Sequence, residues 1–331
     1  MFKLFLAVLI AVFISGCAQK IKIRSLEPAE IDRATTTKKI TVAEFKNDRV
    51  GLSGKIEANL AGHKIDGRSF FTIVSRNDFD KIIVEQKIQN SGLIDTSTVV
   101  EVGQLIDAQA IILGNVGRAT SQDSYFYEER SRCVDKKCKE RISYKVNCTK
   151  RVVGLSAELR MVDVARGDII YADRLSELSK HKHCSDDSNA LPSREIASQR
   201  LAAKIANSFT YKLTPHYRSF KVTLLEDADL DYSDKQERLL ELSLVYIEQG
   251  RYDKAEKFLV ELIDSTDKQS YVPFYNLGVV KEAQGQFREA KQYYKKADDL
   301  MIEPVKEISL ASLRIERIIC KHNKSKEQLQ R

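Results

Sequence analysis

Outside its first sixteen residues the chain has no apolar run approaching twenty residues, so no other segment is long enough to cross a bilayer as a helix. It has no glycine-rich phosphate-cradling loop with a lysine behind it. Histidine is scarce: His63, His181, His183, His216 and His322 are the full set, and none stands beside a recognisable serine or cysteine nucleophile motif. No pair of acids stands out from a surface full of solvated ones. No enzyme, no cofactor and no resident metal are therefore expected. The formal net charge of +7 permits contact with anionic polymers or headgroups but selects no partner.

The one apolar run that is present sits at the start. Lys3 precedes it, and Leu4 to Ile14 carries no charge. At about a dozen residues it is too short for a hydrocarbon layer of roughly 30 Å, so residues 1–16 read as a cleaved signal peptide. Ile14-Ser15-Gly16-Cys17 then places a cysteine where cleavage would occur. The junction resembles a bacterial lipoprotein signal, which implies that the Cys17 thiol is acylated, with palmitate, and becomes the first mature residue. Ala18, where retention would call for aspartate, implies an outer-membrane anchor facing the periplasm, a compartment that excludes nucleic acid. Roughly 315 residues remain, enough for two domains with substantial cores.

After a linker over 17–37, Lys39 to Phe45 alternates β-branched and polar residues, a strand pattern. A small-residue helix is expected from about Ser53 to Ala61, a strand over Gly67 to Arg76, and an amphipathic helix over Asp78 to Gln89. A third helix is expected to start at Thr98, with Glu101 completing a capping box, and to end near Asp107. Asp107 to Gly117 reads as a buried central strand. Val153, Leu155, Ala157, Leu159 and Met161 alternate with polar or small residues, one face in and one face wet. A turn at Ala165-Arg166-Gly167, a strand over Ile169 to Leu175 and a helix from about Ser193 complete a mixed α/β (α+β) sheet covered by helices.

Four runs in this order, Gly67-Arg68-Ser69-Phe70-Phe71-Thr72-Ile73-Val74-Ser75-Arg76, Asp78-Phe79-Asp80-Lys81-Ile82 with Glu85-Gln86-Lys87, Ser91-Gly92-Leu93-Ile94-Asp95, and Asp107 to Gly114, resemble the CsgG-type family of curli secretion components. The fold also occurs in LpoB-type lipoprotein activators of peptidoglycan synthases. The resemblance implies a CsgG/LpoB-like domain over 38–222. Its motifs look structural: Asp78 is placed to complement a helix N-terminus, Arg76 to bind carbonyls or an acid, and Gly92 and Gly114 suit tight backbone geometry.

A ring-forming channel of this family builds its barrel from amphipathic hairpins with an apolar face over about nine to eleven residues. The corresponding insertion here, within 119–151, has Glu128, Glu129, Arg130, Arg132, Asp135, Lys136, Lys137, Lys139, Glu140 and Arg141 on both parities. A charge near the bilayer midplane costs roughly 2–4 kcal/mol on the lipid face, so insertion is not expected. The insertion also holds Cys133, Cys138 and Cys148, with Cys184 downstream beside His181 and His183. In an oxidising compartment two disulfides are the favoured assignment, preferably one short bridge across the hairpin and one to Cys184; a zinc site and free thiols stay open, as does connectivity.

From Asp234 the pattern becomes helix pairs with a period near 35: Leu239, Leu242, Ser243, Tyr246, Gly250, Tyr252, Ala255 and Leu259 recur as Phe274, Leu277, Gly278, Lys281, Gly285, Phe287, Ala290 and Tyr294. This resembles two tetratricopeptide repeats over 234–300, with a capping helix over 304–320. Leu239, Tyr246, Phe274 and Lys281 are the expected partner-binding groove residues. The chain therefore reads as an outer-membrane-anchored periplasmic scaffold or assembly factor that binds envelope proteins or peptides, a homo-oligomer among its states. A curli-type secretion channel and an LpoB-like activator of a peptidoglycan synthase are the alternatives.

Overall fold

The computed structural model describes residues 19–74 and 96–331. Cys17, the expected helix over 78–89 and the motif residues Arg76, Asp78 and Gly92 lie outside the described residues. The chain divides into two units: Pro28–His216 with Ser325–Arg331, and the segment ending at Glu27 with Tyr217–Lys324.

The first unit is built on a mixed sheet. Strand β2 (Lys39–Val42) pairs in parallel with β5 (Thr72–Ile73) and β6 (Ala110–Val116), and β6 runs antiparallel to β8 (Arg141–Asp163). Of the strand expected over Gly67 to Arg76, the described residues divide: β3 (Lys64–Ile65) and β4 (Arg68–Ser69) form a separate small hairpin, and Thr72–Ile73 joins the sheet. Helix α1 (Leu52–Gly62) starts where the Asp48 carboxylate accepts hydrogen bonds from the Leu52 and Ser53 backbone N–H groups, both at 2.8 Å. Helix α2 (Thr96–Leu105) begins two residues before the expected Thr98. Helix α3 (Arg194–Leu213) is capped by Ser193, whose hydroxyl accepts from the Ile196 N–H at 3.2 Å.

Leu60 of α1, Leu201, Ile205 and Phe209 of α3, and Ile40, Ile112, Leu155 and Leu159 of the sheet pack into one buried cluster. Each such side chain contributes about 1.5–3 kcal/mol through the apolar area it removes from water. The alternation expected at 153–161 is present: the odd residues are buried, while Glu158 and Arg160 face solvent. Gly114 is required by close approach, because a Cβ there would stand 2.7 Å from the Phe45 ring.

The largest departure lies in the insertion. Much of it is long strand without apolar alternation: β7 (Thr120–Cys133) pairs with the first half of β8 from Thr120↔Gly154 to Cys133↔Arg141. On the other side of β8, β9 (Ile169–Cys184) pairs from Cys148↔Cys184 to Val162↔Ile169. Since β6 takes the second half of β8 and β7 the first, these two lie end to end along one edge. Apolar alternation marks only the half of β8 that enters the core; backbone hydrogen bonds extend the rest without it.

In the second unit, α4 (Asp234–Glu248), α5 (Tyr252–Ser265), α6 (Tyr271–Ala283) and α7 (Phe287–Leu300) form two helix pairs, followed by α8 (Lys306–Gln330). Gly250 and Gly285 close the first helix of each pair at φ of 70° and 78°, the left-handed geometry of a helix C-terminus. Helix α8 is longer than the expected cap; Ile308, Ala311, Ile315 and Ile318 bury against the repeats, and its last residues belong to the first unit, where Gln328 accepts from the Ala29 N–H at 2.7 Å.

Two segments placed outside this unit by the sequence pattern are part of it. Strand β1 (Lys20–Glu27), within the expected linker, pairs with β10 (His216–Thr223), within the expected first domain. Ile21, Ile23 and Val222 of this ribbon pack with Phe274, Tyr275 and Leu277 of α6. The Tyr275 hydroxyl donates to the Thr223 carbonyl at 2.7 Å. The Asn276 side-chain amide accepts from the Leu225 N–H at 3.0 Å and donates to its carbonyl at 2.8 Å, as a neighbouring strand would.

Helix α7 lies so close to α6 that a Cβ on Gly278 would stand 2.6 Å from the Tyr294 ring, which is itself fully buried. Gly278→Val is expected to lower stability by about 1–3 kcal/mol through overpacking, read as a fall in the urea midpoint of the helical signal. An unchanged midpoint would contradict this packing.

Candidate functional site

Strands β7, β8 and β9 form an arm whose two faces follow from register. Phe126, Glu128 and Arg130 share one face with Val146, Cys148 and Cys184. Tyr125, Tyr127 and Glu129 share the other with Lys145, Asn147 and Thr149. A small apolar cluster of Phe126, Val146, Cys148 and Cys184 occupies the first face. Beside it, Lys182 Nζ donates to both Glu128 oxygens at 2.7 and 2.9 Å, and Arg130 lies 3.6 Å from Asp186. On the second face Tyr125 and Tyr127 are 79% and 72% exposed, so most of each side chain is open to solvent. Both faces carry charge.

The structure joins Cys133 to Cys138 and Cys148 to Cys184. The first bridge closes the tip of the hairpin and the second ties β8 to β9 at a register pair. Among the described residues, one group with metal-ligand chemistry converges here, Glu128 with Cys148 and Cys184. The two thiols are oxidised to each other and the carboxylate is engaged by Lys182, so no thiolate is offered. His181 and His183 alternate onto the face away from Cys184, and His183 Nδ1 lies 2.7 Å from the Asn189 carbonyl oxygen. The Cys/His zinc arrangement open at the sequence level is not assembled.

At the root of the arm Arg151 forks onto Asp123, with Nε to Oδ1 and Nη2 to Oδ2 both at 2.8 Å, and donates from Nη1 to the Pro192 carbonyl at 2.8 Å. The Arg151 hydrogen bond, opposed by desolvation and aided by its charge and by Arg194, holds the Asp123 carboxyl at about 2. An open cleft of about 1100 Å3 at this root is lined in part by Arg49, Arg118, Arg194 and Ser198. Its lining holds no cysteine or histidine, and Glu195 is spent on its own helix terminus and Ser193. Among the described residues that line it, no nucleophile–base pair is assembled.

The repeat groove differs from expectation. Leu239 and Phe274 are 5% exposed and Lys281 is 7% exposed, so none of the three offers a surface to a partner. Leu239 packs against Leu262 and Val272, and Phe274 in the core beneath the ribbon. Burial opposes the Lys281 charge, but Glu256 at 2.7 Å and Glu289 at 3.5 Å outweigh it and raise its pKa. Tyr246 is half-buried, stacked on Phe258 with ring centroids 5.5 Å apart. Helix α6 is buried on every face because β1 and β10 lie across it. Sequence reasoning missed this occupant, although Ile21 and Ile23 alternating with Lys20, Lys22 and Arg24 are its signal.

Residues 30–186 match the family model described as curli production assembly/transport component CsgG, and residues 237–268 and 273–300 match tetratricopeptide repeats. The chain carries a CsgG domain followed by two tetratricopeptide repeats, a class of repeat that serves protein–protein contact. Neither description is that of an enzyme. Lipoprotein GNA1162 from Neisseria meningitidis is 13% identical, with 52% of this chain and 97% of that one covered at a TM-score of 0.25. The hypothetical protein CT253 from Chlamydia trachomatis is 12% identical over 53% and 98%, at 0.27. The PelC dodecamer from Paraburkholderia phytofirmans is 14% identical over 56% and 95%, at 0.21. No curated protein matches the chain.

Two outcomes follow for the arm. The Cys148–Cys184 bridge spans 36 residues and Cys133–Cys138 only 5, so loop-closure entropy makes the former worth about 2 kcal/mol more. Paired Cys→Ala substitutions compared by urea unfolding check this, and equal losses would contradict it. Because the Asp123 pKa is depressed from 3.8 to about 2, the stability from its pairing with Arg151 is present above about pH 4 and is lost as pH falls through 2. Amide exchange at residues 120–124, corrected for intrinsic rate, is expected to quicken over that window, and Asp123→Asn to abolish the change.

Proposed function

We propose that the chain is an envelope scaffold, acylated at Cys17 in the outer membrane and facing the periplasm, that acts by presenting its β arm to partner proteins. The signal-like residues before Cys17 support the anchor. The observation that carries the reading is the arm, a ribbon with exposed aromatic rings on one face and ionic side chains on both. Tyr125 and Tyr127 offer rigid amphipathic contact area at low entropy cost, the kind of anchor that interfaces favour. The repeats contribute their exposed surface, since β1 and β10 cover α6. Tethering holds weakly bound partners at high effective concentration.

One observation favours a second reading, a ring-forming secretion channel: β7 runs 14 residues, more than the nine to eleven or so that a barrel strand needs. Glu129 and Lys145 on one face, with Glu128, Arg130 and Lys150 on the other, weigh against it, since either face would place charge in hydrocarbon.

In planar bilayers the acylated full chain is expected to give no stepwise conductance, and trypsin is expected to cut at Lys136, Lys137 or Lys139 of the vesicle-bound protein without detergent. Conductance together with a protected tip would replace the scaffold by the channel. A photo-crosslinker at Tyr125 or Tyr127 is expected to capture a discrete envelope protein in living cells.

A further inference from the structure

The ribbon of β1 and β10 has two unlike faces. Ile21 and Ile23 of β1 and Val222 of β10 are buried against the repeats. Lys20, Lys22 and Arg24 alternate with them into solvent, joined by Lys221 and Ser219 of β10. The Arg24 guanidinium stacks over the Tyr217 ring at 3.6 Å from its centroid. Residues 20–26 and 216–225 contain no acid. The acids that flank them are engaged elsewhere: Glu27 is paired with Lys321 at 2.7 Å, and Glu226 accepts from the Gln19 backbone N–H. Among the described residues, four cations thus share a surface with no counter-charge of its own.

The position of this face in the chain says what it meets. Lys20 follows Cys17 by three residues, which span at most about 11 Å, and the first described residue, Gln19, already bonds to the ribbon's far strand through the Leu224 N–H at 2.9 Å. A chain anchored at Cys17 has almost no slack before this sheet begins.

We propose that the outer face of this ribbon is a docking surface for anionic phospholipid headgroups, which seats the repeat module directly on the membrane. The seating rests on the acylation of Cys17 proposed above; the affinity of the face for anionic lipid does not. Attraction of this kind adds roughly per cation and acts within a Debye length of about 8 Å at physiological salt, a range that the short tether nearly matches. A lipid anchor together with a basic patch is the two-signal combination that gives stable, oriented attachment. An acidic polypeptide would satisfy the same cations, but an extended partner held at that spot must compete with the bilayer to which the tether binds the face.

The test uses the full mature chain carrying Cys17→Ser, so that no acyl chain contributes, with vesicles of phosphatidylethanolamine and phosphatidylglycerol or of phosphatidylcholine alone. Binding is expected to the anionic vesicles only and to weaken steeply with salt. The triple variant Lys20→Gln, Lys22→Gln, Arg24→Gln is expected to lose about fivefold per charge, on the order of a hundredfold in all. Lys257→Gln, Arg288→Gln and Lys295→Gln together, exposed cations elsewhere in the unit, are expected to change binding little. Should the ribbon triple unfold, as circular dichroism would show, Lys22→Gln alone and the salt series decide. Equal binding to phosphatidylcholine, an unchanged ribbon triple, or complete displacement by soluble polyglutamate at matched charge would overturn the proposal, the last by naming an acidic polypeptide as occupant. Mass spectrometry of the native protein separates the two readings. An unmodified Cys17 with intact vesicle binding ends the anchor alone, and an acylated Cys17 with no vesicle binding of the Cys17→Ser chain ends this proposal alone.

Discussion

The backbone ladder of β8 is the constraint on which the first unit depends. Over Arg141–Asp163 one strand pairs with β7 and then β6 along one edge, and from Cys148 to Val162 with β9 along the other, while its surroundings change from solvent to core. From Val153 to Met161 its inward side chains meet α1 and α3, and apolar burial holds the register, because a slip of one residue would turn that whole set outward. Toward Arg141 the apolar contribution shrinks to the small cluster of Phe126, Val146, Cys148 and Cys184. Ladder hydrogen bonds, the Asp123–Arg151 fork and the Cys148–Cys184 bridge take over there. The core half sets the register, and the ionic half inherits it.

That inheritance explains why the arm can be both ordered and hydrophilic. A two-stranded ribbon in water is marginal by itself, but one that continues a packed strand does not bear the full entropy of nucleation. Each further residue pair adds ladder bonds to an edge already fixed. Side-chain identity along the arm is thus released from folding and free for contact, which is where Tyr125, Tyr127 and the mixed charges stand. The same freedom makes the arm a poor lipid-facing hairpin, since neither face was required to stay apolar.

Legibility in the sequence follows these physical divisions. The alternation at Val153 to Met161 and the glycines at 250, 278 and 285 were readable because burial and helix closeness restrict residue type directly. The four cysteines marked the arm, while their pairing needed the β8–β9 register to bring Cys148 opposite Cys184. Strand structure between Thr120 and Cys133 left no apolar period to detect. Lys281 was misassigned for a related reason: helical spacing shows which residues share a face but not what covers it, and here Glu256 and Glu289 enclose the ammonium.

The ribbon shows the converse case, a signal present in the residues yet assigned to a linker. Lys20 to Arg24 is a clean two-residue alternation, but its hydrophobic side has only Ile21 and Ile23 to offer, too little to read as a strand without knowing its partner. That partner is a helix buried on every side, α6, which its sequence flags through Val272, Phe274, Tyr275, Leu277, Val279 and Val280. A tetratricopeptide helix wet on its concave face would not bear such a set. The excess of apolar residues on α6 and the spare apolar edge of β1 are therefore two halves of one observation, and either predicts the other once both are placed in the same unit.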